Sequence, residues 1–219
     1  MKTGENVARE YRITSETETI QIESNQSKIY LGTKCILDFM FSLVGLIVLM
    51  PVILIFSIFI VLESPGSPFY LQERLGLNGK KFKVIKLRSM RNDAEKNGAK
   101  WAEKNDPRVT KIGLFIRKTR IDELPQLINI LKGDMSLVGP RPERPVFTER
   151  FEKEIPGFKR RLEVKPGLTG WAQINGGYEI TPEEKLKLDI QYINNSNLLL
   201  DLKIIVKTVK VVCTGEGAR

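Results

Sequence analysis

Histidine is absent from all 219 residues. That excludes a histidine general base, a serine–histidine triad and a histidine-ligated zinc. The two cysteines, Cys35 and Cys213, lie far apart with no CxxC pairing, so neither a zinc site nor a disulfide framework is indicated. A reducing, cytoplasm-facing setting is the simplest reading. There is no Walker loop, no dinucleotide fingerprint and no internal repeat. Acidic residues are in deficit, 26 against 35 basic ones, a net charge of +9. Residues 1–29 have four basic side chains (Lys2, Arg9, Arg12, Lys28) and five acidic ones (Glu5, Glu10, Glu16, Glu18, Glu23), so the rest of the chain carries the whole excess. A basic body points to phosphate-bearing partners, whether nucleic acid, anionic lipid or nucleotide. No recognition helix or zinc finger supports nucleic acid, and none is expected as a partner.

Charge is also missing over one long stretch. Phe39 to Leu62 is 24 residues without a formal charge, and about 20 suffice for a membrane helix. Pro51, in its middle, removes a backbone hydrogen bond and forces a kink. Two readings stay open on the residues alone: a kinked helix that spans, or a re-entrant one whose ends emerge on the same face. Residues 1–29 are rich in Glu, Ser and Thr and read as a flexible polar tail or linker, too polar for a secretory signal.

Beyond the apolar run, Glu63 to Pro68 is a turn cluster. Phe69–Leu71 and Phe82–Leu87 read as strands of a small β-hairpin around Gly76, Asn78 and Gly79. The second strand is basic, with Lys80, Lys81, Lys83, Lys86 and Arg88 on or beside it; most of these suit a solvated or anionic-lipid-facing edge. Residues 91–111 are a polar excursion. Phe147–Arg161 is charged and amphipathic. Lys165–Gly177 is Gly-rich and contains Trp171, suited either to stacking on a base or to the lipid interface. Thr181 and Pro182 open a helix. In the last stretch Leu198, Leu202, Ile205, Val209 and Val212 share one face and Lys203, Lys207 and Lys210 the other, which suits an interfacial helix or one packed on a core.

The centre of the chain is residues 119–142. Asp122 reads as an N-cap with Pro125 in the first turn, Leu124, Leu127, Ile128 and Leu131 repeat at helical spacing, and Lys132-Gly133 is the stop signal. A carboxylate at a helix start has an ordinary capping role, and the macrodipole keeps it ionised. The neighbourhood adds a second possibility. Arg117, Lys118 and Arg120 precede Asp122 and Glu123, and Arg141 follows between Pro140 and Pro142. Carboxylates and phosphate ligands thus converge, and an ionised carboxylate can hold Mg²⁺ or attack phosphorus.

Five motifs carry a resemblance to a known family: Ser64-Pro-Gly-Ser-Pro-Phe-Tyr-Leu-Gln-Glu-Arg74 with Gly76, Phe82-Lys-Val-Ile-Lys-Leu-Arg-Ser-Met90, Asp122-Glu-Leu-Pro-Gln-Leu127, Leu131-Lys-Gly-Asp-Met-Ser-Leu-Val-Gly-Pro-Arg-Pro142 and Lys165-Pro-Gly-Leu-Thr-Gly-Trp-Ala-Gln-Ile-Asn-Gly176. From about Lys34 onward the chain resembles the bacterial sugar transferases, the monotopic polyprenyl-phosphate phosphoglycosyl transferases. The resemblance implies transfer of a phosphosugar from a UDP-sugar to polyprenyl (undecaprenyl) phosphate with release of UMP, the initiating step of bacterial surface glycan assembly, through a covalent aspartyl intermediate. It implies Asp122 as nucleophile and metal ligand, Glu123 as the second catalytic acid, assisting the metal site or acting as base toward the lipid phosphate, Mg²⁺ as cofactor, and a cytoplasm-facing, monotopic place on the bacterial inner membrane. Homo-oligomers and downstream glycosyltransferases are the protein partners such an enzyme would have.

The fold expected is an α-rich α+β unit: a re-entrant, broken membrane helix over 30–63 with its break at Pro51, then a catalytic domain over 64–219 with a small β-hairpin and amphipathic interfacial helices. Lys86, Arg88, Arg117, Pro140 and Arg141 are expected to bind substrate, with Arg141 fixed by its flanking prolines. Two positions depart from the family pattern. Met50 stands where relatives commonly have Ser before the proline, and Gly177 where they often have Arg. The rival reading is a non-catalytic membrane-surface module that binds anionic lipid or recruits a partner.

Overall fold

A computed structural model describes residues 26–94, 96, 106–176 and 180–214. Most of the expected tail, much of the polar excursion and Gly177 lie outside the described residues. The described residues open with helix α1, Lys28–Glu63, whose first turn is capped by the Ser27 hydroxyl accepting from the Ile29 N–H. Pro51 lies inside α1, and helix continues on both sides of it; the expected break at Pro51 is not a gap in the helix. Strands β1 (Phe69–Leu75) and β2 (Lys81–Leu87) follow as an antiparallel hairpin with Phe69 opposite Leu87. Its turn needs left-handed backbone at Asn78 and Gly79 (φ 54° and 76°), which those two residues tolerate best. Phe82 and Val84 are buried and alternate with exposed Lys81 and Lys83, the pattern of a half-buried strand, while Leu87, on the opposite face, is buried in a separate cluster.

Helix α2 (Lys111–Lys118) starts at the Thr110 cap, whose hydroxyl accepts from the Gly113 N–H at 2.9 Å. Helix α3 (Gln126–Leu131) ends at Lys132, with Gly133 left-handed at φ 79°. The expected stop is therefore the observed one. Strands β3 (Ser136–Val138) and β4 (Gly167–Thr169) pair in parallel. Helix α4 spans Pro145–Glu154; left-handed Gly157 then turns the chain into a 3-10 segment, Phe158–Glu163, so the expected amphipathic stretch is two pieces. Helices α5 (Trp171–Asn175), α6 (Pro182–Asn195) and α7 (Leu198–Thr214) complete the described residues. Thr181 and Glu184 form the full reciprocal capping box of α6.

Among the described residues the architecture is α-rich with a small β-hairpin, as expected, and the parallel β3–β4 pair adds a second small sheet that was not. Three apolar clusters among the described residues hold the fold together, and α1 takes part in two. Ile53 and Ile60 of α1 pack with Leu87 and Ile116. Leu46 and Leu49 pack against Phe82, Val84, Leu127, Ile130 and Met135. The third cluster joins Val138, Phe151, Phe158, α6 and Ile204 of α7. The other side of α1 is bare and apolar, including Phe39, Val44, Ile47, Val48, Leu54 and Ile58, and Leu114 and Phe115 of α2 extend it. A patch of this extent is a membrane or partner surface rather than ordinary exposure.

Helix α7 packs on the body along one side and leaves apolar side chains exposed along the other. Asp201, Ile204 and Ile205 face the body, so Ile205 belongs to the packed side and not with the outer leucines. Leu198, Leu199, Leu202, Val206 and Val209 are exposed. Trp171 is half-buried, donates to Gln191 at 3.1 Å, and has the Lys203 and Lys207 ammonium groups 5.9 and 5.6 Å from its ring.

Candidate active site

Arg120, with left-handed backbone at φ 57°, turns the chain sharply after α2 and starts a 3-10 turn, Ile121–Glu123. Asp122 therefore stands in the middle of this turn and is not the N-cap of α3, a place taken by Pro125. The difference changes what the carboxylate does. Among the described residues no backbone N–H and no cation lies within bonding distance of Asp122, so the capping role assigned by helix grammar falls away. Asp122 and Glu123 are both buried, 8% and 9% exposed.

The adjacent acids have opposite surroundings. Glu123 accepts from Lys86 Nζ at 2.8 Å and from both terminal nitrogens of Arg141, and Arg120 lies 4.0 Å away. Burial alone would raise its pKa, but Arg141 and Lys86 override this and hold Glu123 well below the usual range. At Asp122 burial wins. Desolvation pushes it up to about 6, against the downward pull of the Lys86, Arg141 and Arg117 charges. The helix dipole expected to keep it low is not the governing influence. The result is one clamped carboxylate beside one uncommitted carboxylate, inside the same group of cations.

Lys86 and Arg141 are thus brought together as expected, and Arg117 is near enough to act on Asp122 by charge. Arg88 is not brought in. It is 6% exposed, and its guanidinium donates to the Ser64 carbonyl, to the Pro65 carbonyl at 3.1 Å and to Asn92. Its visible work is to tie the chain leaving α1 to the end of β2. Pro140 contributes its backbone: its carbonyl accepts from Gly167 N–H at 2.9 Å, while Gly139 N–H donates to Thr169 at 2.9 Å. These bonds, more than the prolines alone, fix the segment that carries Arg141.

Glycine at position 139 is required by this close approach. A Cβ there would meet the Lys165 carbonyl oxygen at 2.4 Å and Gly167 N at 2.9 Å. Overpacking of this kind costs about 1–3 kcal/mol. Gly139→Ala is therefore expected to lower Tm by several degrees and to reduce activity by shifting Arg141. An unchanged melting curve in detergent would contradict the packing described.

Behind Arg141 lies a buried ionic network that has no local signature in the sequence. Glu143 pairs with Lys185, with Arg74 at 3.5 Å and with Arg161 at 3.7 Å. Arg161 also binds Asp189 through Nε at 3.0 Å and a terminal nitrogen at 2.5 Å. Burial would raise Glu143, yet Lys185, Arg161 and Arg74 bring it down to about 2. Arg74 and Glu143 lie in or beside motifs; Arg161, Lys185 and Asp189 lie 18, 42 and 46 residues beyond Glu143, and no local pattern connects them.

The donor set can be tested for a metal. Among the described residues there is no cluster of three acid, His or Cys ligands, and Asp122 is the one uncommitted carboxylate of the dyad. That suits Mg²⁺, which commonly takes one or two carboxylates and completes its shell with substrate phosphates and water. It does not suit a metal caged by protein alone.

An apolar helix half-sunk into the body and, in the same body, an uncommitted buried carboxylate among cations are what a membrane-associated enzyme of phosphorylated groups would need. The model of the bacterial sugar transferase family matches residues 29–215. A Bacillus subtilis (strain 168) protein, provisionally named undecaprenyl-phosphate N-acetylgalactosaminyl 1-phosphate transferase, is 57% identical over 157 residues, covering 72% of this chain and 87% of the relative. A UDP-N-acetylgalactosamine-undecaprenyl-phosphate N-acetylgalactosaminephosphotransferase of Aeromonas hydrophila is 43% identical over 88% of this chain and 46% of its own length. A UDP-glucose:undecaprenyl-phosphate glucose-1-phosphate transferase of Escherichia coli (strain K12) is 41% identical over 78% and 38%. The chain therefore spans less than half the length of the latter two. It belongs to the bacterial sugar transferase family.

Proposed function

We propose that the protein transfers a phosphosugar from a UDP-sugar to polyprenyl phosphate, releasing UMP, at the cytoplasmic leaflet of a bacterial membrane. The observation that carries this is the asymmetry of the dyad: a buried carboxylate with no hydrogen bond, held among cations that its neighbour keeps in place. The relatives' names, each of an undecaprenyl-phosphate sugar-phosphate transferase, support the same substrates.

In this reading an Asp122 oxygen attacks the β-phosphorus of the UDP-sugar. The bond from that phosphorus to the bridging oxygen breaks, UMP departs, and an acyl phosphosugar remains on Asp122. An oxygen of the lipid phosphate then attacks the same phosphorus. The Asp122 oxygen leaves, the carboxylate is restored, and polyprenyl-diphosphate sugar is released. Lys86, Arg117 and Arg141 hold the diphosphate oxygens whose charge grows in the transition state. Glu123 orders those cations; a carboxylate held so far below its usual pKa is a poor proton acceptor at neutral pH. Mg²⁺, bound by Asp122 and the diphosphate, would supply Lewis-acid neutralisation of the phosphates.

The membrane reading is that α1 enters one leaflet and does not cross. Both of its ends make polar bonds to one body. Tyr30 and Lys34 bind Asp201 at 3.0 and 2.7 Å, and Asp38 accepts from the Leu137 N–H at 3.1 Å. At the other end Glu63 accepts from the Lys111 and Ile112 N–H groups at 2.8 and 2.9 Å. A spanning α1 would carry one of these polar clusters across the hydrocarbon, where such groups are costly. Cysteines placed at Ser27 and Ser67, in a background lacking Cys35 and Cys213, are expected to react with an impermeant thiol reagent from the same side of sealed vesicles. Labelling from opposite sides would establish a spanning helix.

The reaction itself is tested by UMP release from detergent-purified protein with Mg²⁺, undecaprenyl phosphate and a panel of UDP-sugars that includes N-acetylgalactosamine, galactose and glucose. Turnover that depends on the lipid is the expected result. No release with any sugar from folded protein would favour the non-catalytic surface module.

A further inference from the structure

We propose that Arg161 is a positioning residue for Arg141, with Asp189 and Glu143 as the groups that hold it. This rests on the proposed role of Arg141 as a phosphate ligand and extends it to residues outside the site.

Arg161 is 3% exposed and lies in the 3-10 segment after α4. Its guanidinium has a divided task. One face is fixed by Asp189 on α6, through Nε at 3.0 Å and a terminal nitrogen at 2.5 Å. The same terminal nitrogen donates to the carbonyl oxygen of Arg141 at 3.0 Å, and the other lies 3.7 Å from Glu143. The carbons are held too, since the guanidinium sits 5.0 Å from the ring centre of fully buried Phe158. Only a planar fork with several donors can do all this at once; a lysine ammonium at the same place cannot.

The segment that Arg161 reaches is short and fastened on every side. Gly139 and Pro140 are bonded to β4, and Arg74 donates to the Pro142 carbonyl at 2.9 Å. Between these bonds, the carbonyl of Arg141 itself is held by Arg161. From that fixed backbone the Arg141 side chain extends to Glu123. Stability alone does not account for the arrangement, because buried ion pairs are often no more stabilising than apolar side chains of equal volume. What the network secures is a place: α6 holds Arg161, Arg161 of the 3-10 segment holds the Arg141 carbonyl, and Arg74 of β1 holds the carbonyl of the next residue. A misplacement of about 1 Å at a reacting group can cost on the order of a hundredfold in rate.

The experiment compares Arg161→Lys, Arg141→Lys and the double variant as purified full-length protein, reading kcat, KM for the UDP-sugar, Tm, and equilibrium binding of UDP with Mg²⁺. Asp189→Asn, which keeps the volume and one acceptor, is carried in parallel. The expected result for folded Arg161→Lys is a rise in KM or a fall in kcat of about tenfold or more, with weaker UDP binding. Arg141→Lys should then cost far less in the Arg161→Lys background than in the wild type, because both act on the same contact. A lower Tm with unchanged kcat, KM and UDP affinity would overturn the proposal, as would effects that simply add. If neither Arg161→Lys nor Asp189→Asn folds, the network belongs to the core and the proposal also fails. A wild-type protein that releases no UMP would remove the proposed reaction while leaving the UDP-binding cycle to decide the role of Arg161.

Discussion

Asp122→Asn is expected to abolish transfer, with a loss of at least about a thousandfold, as for other nucleophiles whose removal leaves only binding and charge stabilisation. The substitution is nearly isosteric. Because no hydrogen bond or ion pair of the described residues ends on this carboxylate, folding should not suffer. Burial already disfavours the charged form, pushing Asp122 up to about 6, so a neutral amide relieves a cost present at pH 7. Tm should stay the same or rise while UMP release and phosphosugar-labelled protein both vanish. An active Asp122→Asn enzyme would remove Asp122 as nucleophile, and a marked fall in Tm would show that the carboxylate has a structural partner.

Glu123→Gln is expected to fail differently. It leaves Lys86, Arg141 and Arg120 without the charge on which they converge. Removing one partner of a fully buried pair costs about 3–5 kcal/mol. Here the Arg141 and Arg120 side chains are 31% and 33% exposed, and solvent screening brings the loss nearer to about 2 kcal/mol. Tm should fall, and activity should drop about a hundredfold as the cations lose their places. The two half-reactions separate the roles. If Glu123 orders cations, the first UMP release and the later transfer to lipid both slow. If it deprotonates the lipid phosphate, the variant gives a full burst of UMP and stalls; that outcome would restore the role of base.

Much of the fold was legible because its signals are local. The turn at Asn78-Gly79, the Thr181-Pro182 helix start with Glu184 completing the box, and the Lys132-Gly133 stop each depend on a few adjacent residues. The dyad was legible as a pair of acids among arginines, but what each acid does was not. Sequence could not distinguish a helix beginning at Asp122 from a 3-10 turn begun by left-handed Arg120, and that distinction decides whether the carboxylate is occupied. Arg88 misled for a related reason: its partners, Ser64 and Pro65, lie more than twenty residues earlier. The ring around Glu143 and Arg161 joins four separate elements, so it exists only once the chain has folded.

Helix α1 resembles an anchor in the sequence, but its packing gives it another standing. Ile53 and Ile60 are 4% and 3% exposed, Gly45 lies against Leu127 of the helix that follows the dyad, and Asp38 bonds the strand that leads to Arg141. A tether can be cut; a wall cannot. Trimming the chain after Glu63 to obtain a soluble fragment would unroof two of the three apolar clusters and free both arms of the site together. In the proposed membrane placement the lipid bilayer would take the part that an outer layer of helices plays in a water-soluble enzyme, closing over the exposed side of α1 as the last course of the core.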